Sequence, residues 1–245
     1  MILCIDSGNT RLKWGIHDGA SWQAQGVLAK SDLLRLAVSL PRGLPLQRAM
    51  VSNVAGENVA DVLRVMLPVP RDAIEFVHSS AAAGGVRNRY RVPGQLGVDR
   101  WCALIGARRQ TKAACLVVGA GTATTIDTLD AEGEFLGGFI LPGFELMRSA
   151  LSTNTAQLPL AEGDWQAYPR RTEDAIVSGC IEAQVGAIER AFDRIAAEGD
   201  AECLLFGGAV PRLSPCLQRP HRVVEPLVLE GLLQLASGPS AAAAE

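Results

Sequence analysis

No cysteine in this chain stands in a C-x-x-C pair, although six are present: Cys4, Cys102, Cys115, Cys180, Cys203 and Cys216. Their mostly apolar surroundings argue against a thiolate metal site or a disulfide framework and point to buried free thiols in a reducing compartment. Histidine is scarce, and His17, His78 and His221 show no metal-ligand spacing. No apolar run approaches the ~20 residues that a membrane-spanning helix needs. The opening "MILCIDSG" has no basic segment and soon reaches the charged Asp6, so no secretory signal is expected there. A basic excess is missing too: 23 Lys and Arg against 26 Asp and Glu leave a formal net charge of -3. That balance counts against a broad nucleic-acid surface. What remains is a cytoplasmic, soluble protein with neither membrane nor nucleic acid as partner.

What is present suits a compact globule. At 245 residues, 48% hydrophobic and 20% charged, the chain can form one large domain or two modest ones. "ILCID" reads as a buried strand, "RLKWGIH" alternates Leu12, Trp14 and Ile16 with Arg11, Lys13 and Gly15, and "DGASWQAQGVLA" continues the meander after an Asp18-Gly19 turn. "SDLLRLAVSL" is expected as a helix with Ser31 as N-cap, and "RAMVSNVAG" as a strand ending near Ser52. "ENVADVLRVML" is an amphipathic helix stopped by "PVP", and "AIEFVHS" a further strand. A glycine-rich stretch, Ala81 to Gly97, precedes a helix from about Val98 to Thr111.

"ACLVVGAGTATTIDTLDAEGEFLGGFILPG" then reads as three strands with turns at Gly119–Gly121 and Ala131–Gly133. The longest helix is expected from about Thr172 to Ala197, with Thr172 as N-cap and an apolar stripe of Val177, Ile181, Val185, Ile188, Phe192 and Ile195. Gly179, Ala183, Gly186 and Ala187 on the same segment permit close helix approach, within the chain or at a dimer seam. "CLLFGGAV" is another strand, followed by a short helix, and the tail "SGPSAAAAE" is expected to fray. Trp14, Trp22, Trp101 and Trp165 read as core or interface, and Pro169 to Arg171 as a solvated turn. Each half opens with a strand and a Gly-Thr loop, which suggests two related lobes, 1–112 and 113–245.

The chemistry concentrates in three stretches. In "DSGNTRLKWGI" a strand ends at Asp6, a Gly8-Asn9-Thr10 turn follows, and Lys13 lies on the return strand. That is either a plain hairpin or a nest of amides around phosphate, with Asp6 on the water shell of a Mg²⁺. "VVGAGTATTID" repeats the pattern, with Gly121 and Thr122 where Gly8 and Thr10 stand in the first copy. Two such turns across a cleft would grip a nucleotide's phosphates from both sides. In "YRVPGQLGVDRWCALIG", Asp99 and Arg100 open an apolar helix. Asp99 there either complements the helix dipole or acts as a general base, with Arg100 as an anion clamp.

"DSGNTRLKWG", "YRVPGQLGVDRW", "GTATTID…FLGGFILPG" and "RTEDAIVSG" together resemble the type III pantothenate kinases, the Bvg accessory factor family, over essentially the whole chain. The resemblance implies an α/β, two-lobed ribonuclease-H-like fold of the actin-like ATPase and sugar-kinase superfamily, with mixed sheets and a nucleotide cleft. It implies ATP- and Mg²⁺-dependent phosphorylation of pantothenate, the first step of coenzyme A synthesis, by a homodimer. The ATP-binding residues would be Asp6, Ser7, Gly8, Asn9, Thr10, Arg11, Leu12, Lys13, Gly121 and Thr122. Tyr90, Gly97, Val98, Asp99, Arg100 and Thr172 would bind pantothenate, Asp99 would take its proton, and Asp6 would serve Mg²⁺ through water.

Two departures stand out. The family's second loop begins D-x-G-T, with the aspartate on K⁺ or NH₄⁺, whereas Gly119 stands here. Asp127 is a substitute carboxylate or a strand-end or Mg²⁺-linked one. The glycine-rich motif near the adenosine end is also altered, to Gly207-Gly208-Ala209. A degenerate kinase acting as a ligand-sensing regulatory accessory protein is the alternative.

Overall fold

The computed structural model describes residues 1–155, 158, 160 and 162–238. In chain order the elements are β1 (Ile2–Ser7), β2 (Arg11–His17), β3 (Trp22–Ala29), α1 (Leu36–Ser39), β4 (Arg48–Asn53), α2 (Glu57–Met66), β5 (Ile74–Phe76), β6 (Ala82–Ala83), β7 (Val86–Asn88) and α3 (Val98–Gln110). There follow β8 (Ala114–Ala120), β9 (Ala123–Leu129), β10 (Glu134–Pro142), α4 (Phe144–Asn154), α5 (Thr172–Ala196), β11 (Ala201–Phe206), α6 (Val210–Leu213), β12 (Arg222–Val223) and α7 (Leu227–Ser237). The chain divides into two units. One is Met1–Lys112 with the segment from Pro226, and the other is Ala113–Glu225.

Both units are built on one plan. In the first, the strand order is β3-β2-β1-β4-β5, with β1, β2 and β3 antiparallel and β1, β4 and β5 parallel. Within the second, the order β12-β11-β8-β9-β10 repeats it: an antiparallel meander of β8, β9 and β10, then β11 and β12 added in parallel. Alternation sends Leu3, Ile5, Leu12, Trp14, Ile16, Ala49 and Val51 into one core of the first unit, where α2 adds Val59 and Leu63. The opposite face of that sheet lies under α3 and α7. In the second unit Leu116, Val118 and Ile126 pack against α5, whose Val177, Ile181, Val185, Ile188, Phe192 and Ile195 are all buried. Each such side chain contributes about 1.5–3 kcal/mol of hydrophobic stabilisation.

The segment after Pro226, expected in the second lobe, packs in the first unit instead. The cause is a backbone-close helix crossing. A Cβ on Gly231 of α7 would lie 1.8 Å from the Cys102 carbonyl oxygen of α3, and one on Gly106 would lie 2.2 Å from that of Leu227. Trp22 Nε1 donates to Glu230 Oε1 at 2.7 Å, and Arg109 pairs with Glu230 Oε2 at 3.2 Å, so α7 is anchored at both flanks.

Other details differ from the expectations. Lys30–Arg35 is a 3₁₀ turn ahead of the four-residue α1, so Ser31 lies inside it and caps nothing. The Lys30 N–H is already bonded to the Thr10 carbonyl at 2.9 Å, which carries β3 straight into the turn. Arg171, not Thr172, precedes the first turn of α5, and no side chain caps it. Two helices went unread: α4, and α7, whose "LVLEGLLQLAS" is too continuously apolar to show a helical period. Residues 239–245, most of the tail expected to fray, lie outside the described residues.

Candidate active site

The first loop is a tight turn. Gly8 N–H donates to the Arg11 carbonyl at 3.0 Å, and a Cβ on Gly8 would stand 3.1 Å from that oxygen. Asn9, Thr10 and Arg11 are exposed at its tip. Asp6 and Lys13 are direct cross-strand partners, so they share one face of the sheet. Ser7 and Leu12, both buried, turn to the other face, and Leu12 belongs to the apolar core. The hairpin ladder thus sets a carboxylate beside an ammonium at the foot of an exposed turn.

Parallel pairing of β1 with β4 adds a residue that the sequence reading passed over. Ser52 is opposite Asp6, so Lys13, Asp6 and Ser52 form a row across β2, β1 and β4. Each is offset by one from core residues on its own strand, which places the row on the face that α3 covers.

The start of α3 brings Asp99 to the same face. Asp99 Oδ1 accepts from the Arg100 backbone N–H at 2.9 Å. The Cys102 thiol, one turn further on, is pushed well above its ordinary range by burial first, and then by the negative charges of Asp6 and Asp99 and by Cys4. Both carboxylates therefore lie within electrostatic reach of one buried sulfur, and the two expected acidic site residues are gathered. Arg100 is buried, donates from Nη1 to the Tyr90 hydroxyl at 3.0 Å and sits 5.8 Å from the centre of that ring. Asn88 fixes the approach: its Oδ1 accepts from Tyr90 N–H at 3.0 Å, while Nδ2 donates to the Ser80 and Pro93 carbonyls at 3.2 and 3.1 Å. Beside Val98 a pocket of about 390 Å³ opens, lined by Asn53, Val54, His78, Gly94 and Leu96 among others.

The second loop is held by glycines. Gly121 N–H donates to the Ala123 carbonyl at 3.0 Å, Gly143 N–H to that of Thr122 at 2.9 Å, and Ala209 N–H to that of Ala120 at 3.0 Å. A Cβ on Gly143 would meet the Gly121 oxygen at 2.2 Å, and one on Gly207, at φ +108°, the Ala120 oxygen at 2.4 Å. Gly207 N–H donates to Glu225 Oε1 at 2.9 Å. The row equivalent to Lys13, Asp6 and Ser52 is here Thr125, Gly119 and Phe206. A Cβ on Gly119 would come within 2.9 Å of both Phe206 Cζ and Thr125 Oγ1. The ring and the hydroxyl occupy the room that a carboxylate at position 119 would need.

Asp127 is buried in the middle of β9, opposite Val117 and Gly138. No group of three or more His, Cys, Asp or Glu placed to hold a metal occurs among the described residues. Thr172 belongs to the second unit, where it lines an apolar groove of about 800 Å³ with Met147, Leu151, Leu158 and Ile176. Gly179, Ala183 and Gly186 are exposed on α5, so no described part of this chain covers that small-residue face.

Comparison with known proteins identifies the family. The family model for type III pantothenate kinase matches residues 2–194. A type III pantothenate kinase of Aromatoleum aromaticum is 52% identical over 242 residues, 99% of this chain and 100% of that protein. Among solved structures, a Campylobacter jejuni protein described as a Baf family transcriptional activator aligns with TM-score 0.57 at 20% identity, over 95% of this chain and 96% of that one. A Sinorhizobium meliloti protein described as a 2-dehydro-3-deoxygalactonokinase also gives 0.57, at 14% identity over 95% and 97%. These two likenesses show a shared fold, that of a protein described as a sugar kinase among them, as expected. The match over nearly the full chain, together with the loops and the Tyr90-to-Arg100 segment, shows that the chain belongs to the type III pantothenate kinase family.

Proposed function

We propose that the protein transfers the γ-phosphoryl group of ATP to the primary hydroxyl of pantothenate, opening coenzyme A synthesis. Beyond family membership, the observation that carries this reading is the ladder that sets Lys13 beside Asp6, with Asp99 in the first turn of α3, the helix that packs on the same sheet. Asp99 is the proton acceptor. Its Oδ1 is held by the Arg100 N–H, which orients the carboxylate and leaves Oδ2 for the attacking hydroxyl. Lys13 and the amides of the Gly8–Thr10 turn take the phosphate charge, and Thr122 and Gly121 contribute in the second loop. Tyr90 and Arg100, locked by their mutual hydrogen bond, recognise the carboxylate end of pantothenate, and Gly97 and Val98 border its chain. Positioning and electrostatics suffice for this chemistry, because phosphoryl transfer needs little covalent help from the protein.

The donor set suits Mg²⁺: hard carboxylate oxygens and, among the described residues, no closed cage of protein ligands, which is how a cation that keeps waters and phosphate oxygens is held. When bound, Mg²⁺ neutralises charge on the phosphates; Asp6 would hold it through water. The K⁺ or NH₄⁺ typical of the family does not fit, because Phe206 and Thr125 fill the place of the missing carboxylate. The exposed face of Gly179, Ala183 and Gly186, with Thr172 at the start of the same helix, supports a homodimer seam along α5. A cytoplasmic setting accords with six free cysteines and with the absence, among the described residues, of any helix long and apolar enough to cross a membrane. A pure sensor has no need of a base, so the presence of Asp99 together with Asp6, Lys13, Tyr90 and Arg100 in the sequence counts against the regulatory alternative.

The test is ADP release with and without pantothenate, in wild type and in Asp99→Asn. Turnover should require pantothenate, and the variant should lose about 10²–10⁴-fold in kcat. Pantothenate-independent ADP release, or full turnover in Asp99→Asn, would refute the assignment.

A further inference from the structure

Ser52 is fully buried, and its hydroxyl makes no hydrogen bond among the described residues. A buried hydroxyl left without a partner destabilises the folded chain, so its place in a strand core needs a reason. Its position supplies one. In the parallel ladder Ser52 is the partner of Asp6, and Asp6 is in turn the antiparallel partner of Lys13. Because Leu3, Ile5, Leu12, Ala49 and Val51 all point to the other face, the three polar side chains stand side by side.

The second unit provides an internal control. There the same three positions carry Thr125, Gly119 and Phe206, and the ring closes off the space. Thus, at the position of Ser52, a hydroxyl accompanies the row that has a carboxylate and an aromatic ring the row that lacks one, where the hydroxyl of Thr125 stands at the position of Lys13 instead. A buried serine needed only to fill volume would have no such reason to track the aspartate.

We propose that Ser52 is a positioning residue for the divalent cation, its Oγ binding a water in the shell of the Mg²⁺ that Asp6 holds. Neighbouring strands lie about 4.8 Å apart, which leaves side chains on adjacent rungs within reach of one bridging water. A hydroxyl has both a donor and acceptor lone pairs, so it can accept a hydrogen bond from a metal-bound water and steady that water beside the Asp6 carboxylate. The inference rests on the assignment of Asp6 to the metal–phosphate end of the site.

The experiment uses Mn²⁺ as the probe, its free concentration followed by electron paramagnetic resonance, with the full chain and a non-hydrolysable ATP analogue. Wild type, Ser52→Ala and Asp6→Asn are compared, and melting temperatures are taken without ligand. Ser52→Ala should bind Mn²⁺ about tenfold more weakly in the nucleotide complex, the loss expected for one hydrogen bond in a charged shell. Its affinity for the metal-free analogue should be unchanged. Its ligand-free melting temperature should equal or exceed that of wild type, because a hydroxyl without a partner has been removed. Should Ser52→Ala not fold, Ser52→Cys, close in volume and a weak acceptor, carries the same expectation for Mn²⁺. Wild-type Mn²⁺ affinity in the serine variant, with Asp6→Asn impaired, would overturn the role of Ser52 and leave that of Asp6 standing. Wild-type affinity in Asp6→Asn would remove the metal assignment itself, and this inference with it. A lowered ligand-free melting temperature with Mn²⁺ affinity intact would make Ser52 a packing residue only.

Discussion

Replacing Gly119 with Asp restores to the second row the carboxylate that Asp6 supplies in the first, and the structure says that the restoration should fail. The new Cβ would lie 2.9 Å from Phe206 Cζ and 2.9 Å from Thr125 Oγ1. Both distances are well inside the ~3.5–4.0 Å at which non-bonded atoms attract. Overpacking of this kind costs about 1–3 kcal/mol, and a carboxylate pressed against a ring adds a desolvation term of about 1 kcal/mol or more. For a chain of this length each kcal/mol shifts Tm by roughly 2–4 °C, so a fall of about 5–15 °C is expected. Thermal melts followed by circular dichroism measure it, alongside kcat in sodium and in potassium buffers. No potassium stimulation should appear in wild type or in the single variant. In a Phe206→Ala background the same substitution should cost at least about 1 kcal/mol less, because the ring is the obstacle. Equal costs in the two backgrounds, or potassium stimulation of Gly119→Asp with Phe206 in place, would refute the argument.

Two further outcomes follow from packing. Gly231→Ala should destabilise the protein by about 3 kcal/mol or more, since its Cβ would fall 1.8 Å from a backbone oxygen of α3 that cannot swing aside; denaturant midpoints check this. Thiol titration of the native protein at mildly alkaline pH should show Cys216 reacting first, as the single cysteine of the six that is not buried, and all six reacting after unfolding; prompt reaction of Cys102 in the native state would contradict its burial beneath the two aspartates.

The loops were legible in the sequence because their chemistry is local. A Gly-Asn-Thr turn between alternating strands, or an Asp-Arg pair opening an apolar helix, declares itself within a dozen residues. Asp6, Lys13, Asp99 and Arg100 stand out that way, and Tyr90 only through the family resemblance. Ser52 was not, because its partner is set by the parallel register of β4 on β1, a crossover pairing that no local pattern encodes. Phe206 as the occupant of the Gly119 space is hidden for the same reason, through β11 on β8. Helix α7 escaped because burial against both α3 and the sheet leaves it apolar on nearly every side, and a periodicity reading needs a wet face. Thr172 as an N-cap was plausible chemistry at the wrong position by one residue.

The placement of α7 bears on how the protein is made. A ribosome delivers residues 113–225 as one unbroken length, so the second unit can close as soon as it emerges. The unit that carries Asp6 and Asp99 waits for α7, whose glycine-to-backbone crossing with α3 comes from residues synthesised after the whole of the second unit. Until then the α3 face stays uncovered and sticky, a nascent-chain stage at which a chaperone would engage. A ribosome that stalls within residues 113–225 would therefore leave a chain with Asp6, Lys13 and Asp99 already made and the unit that holds them still open.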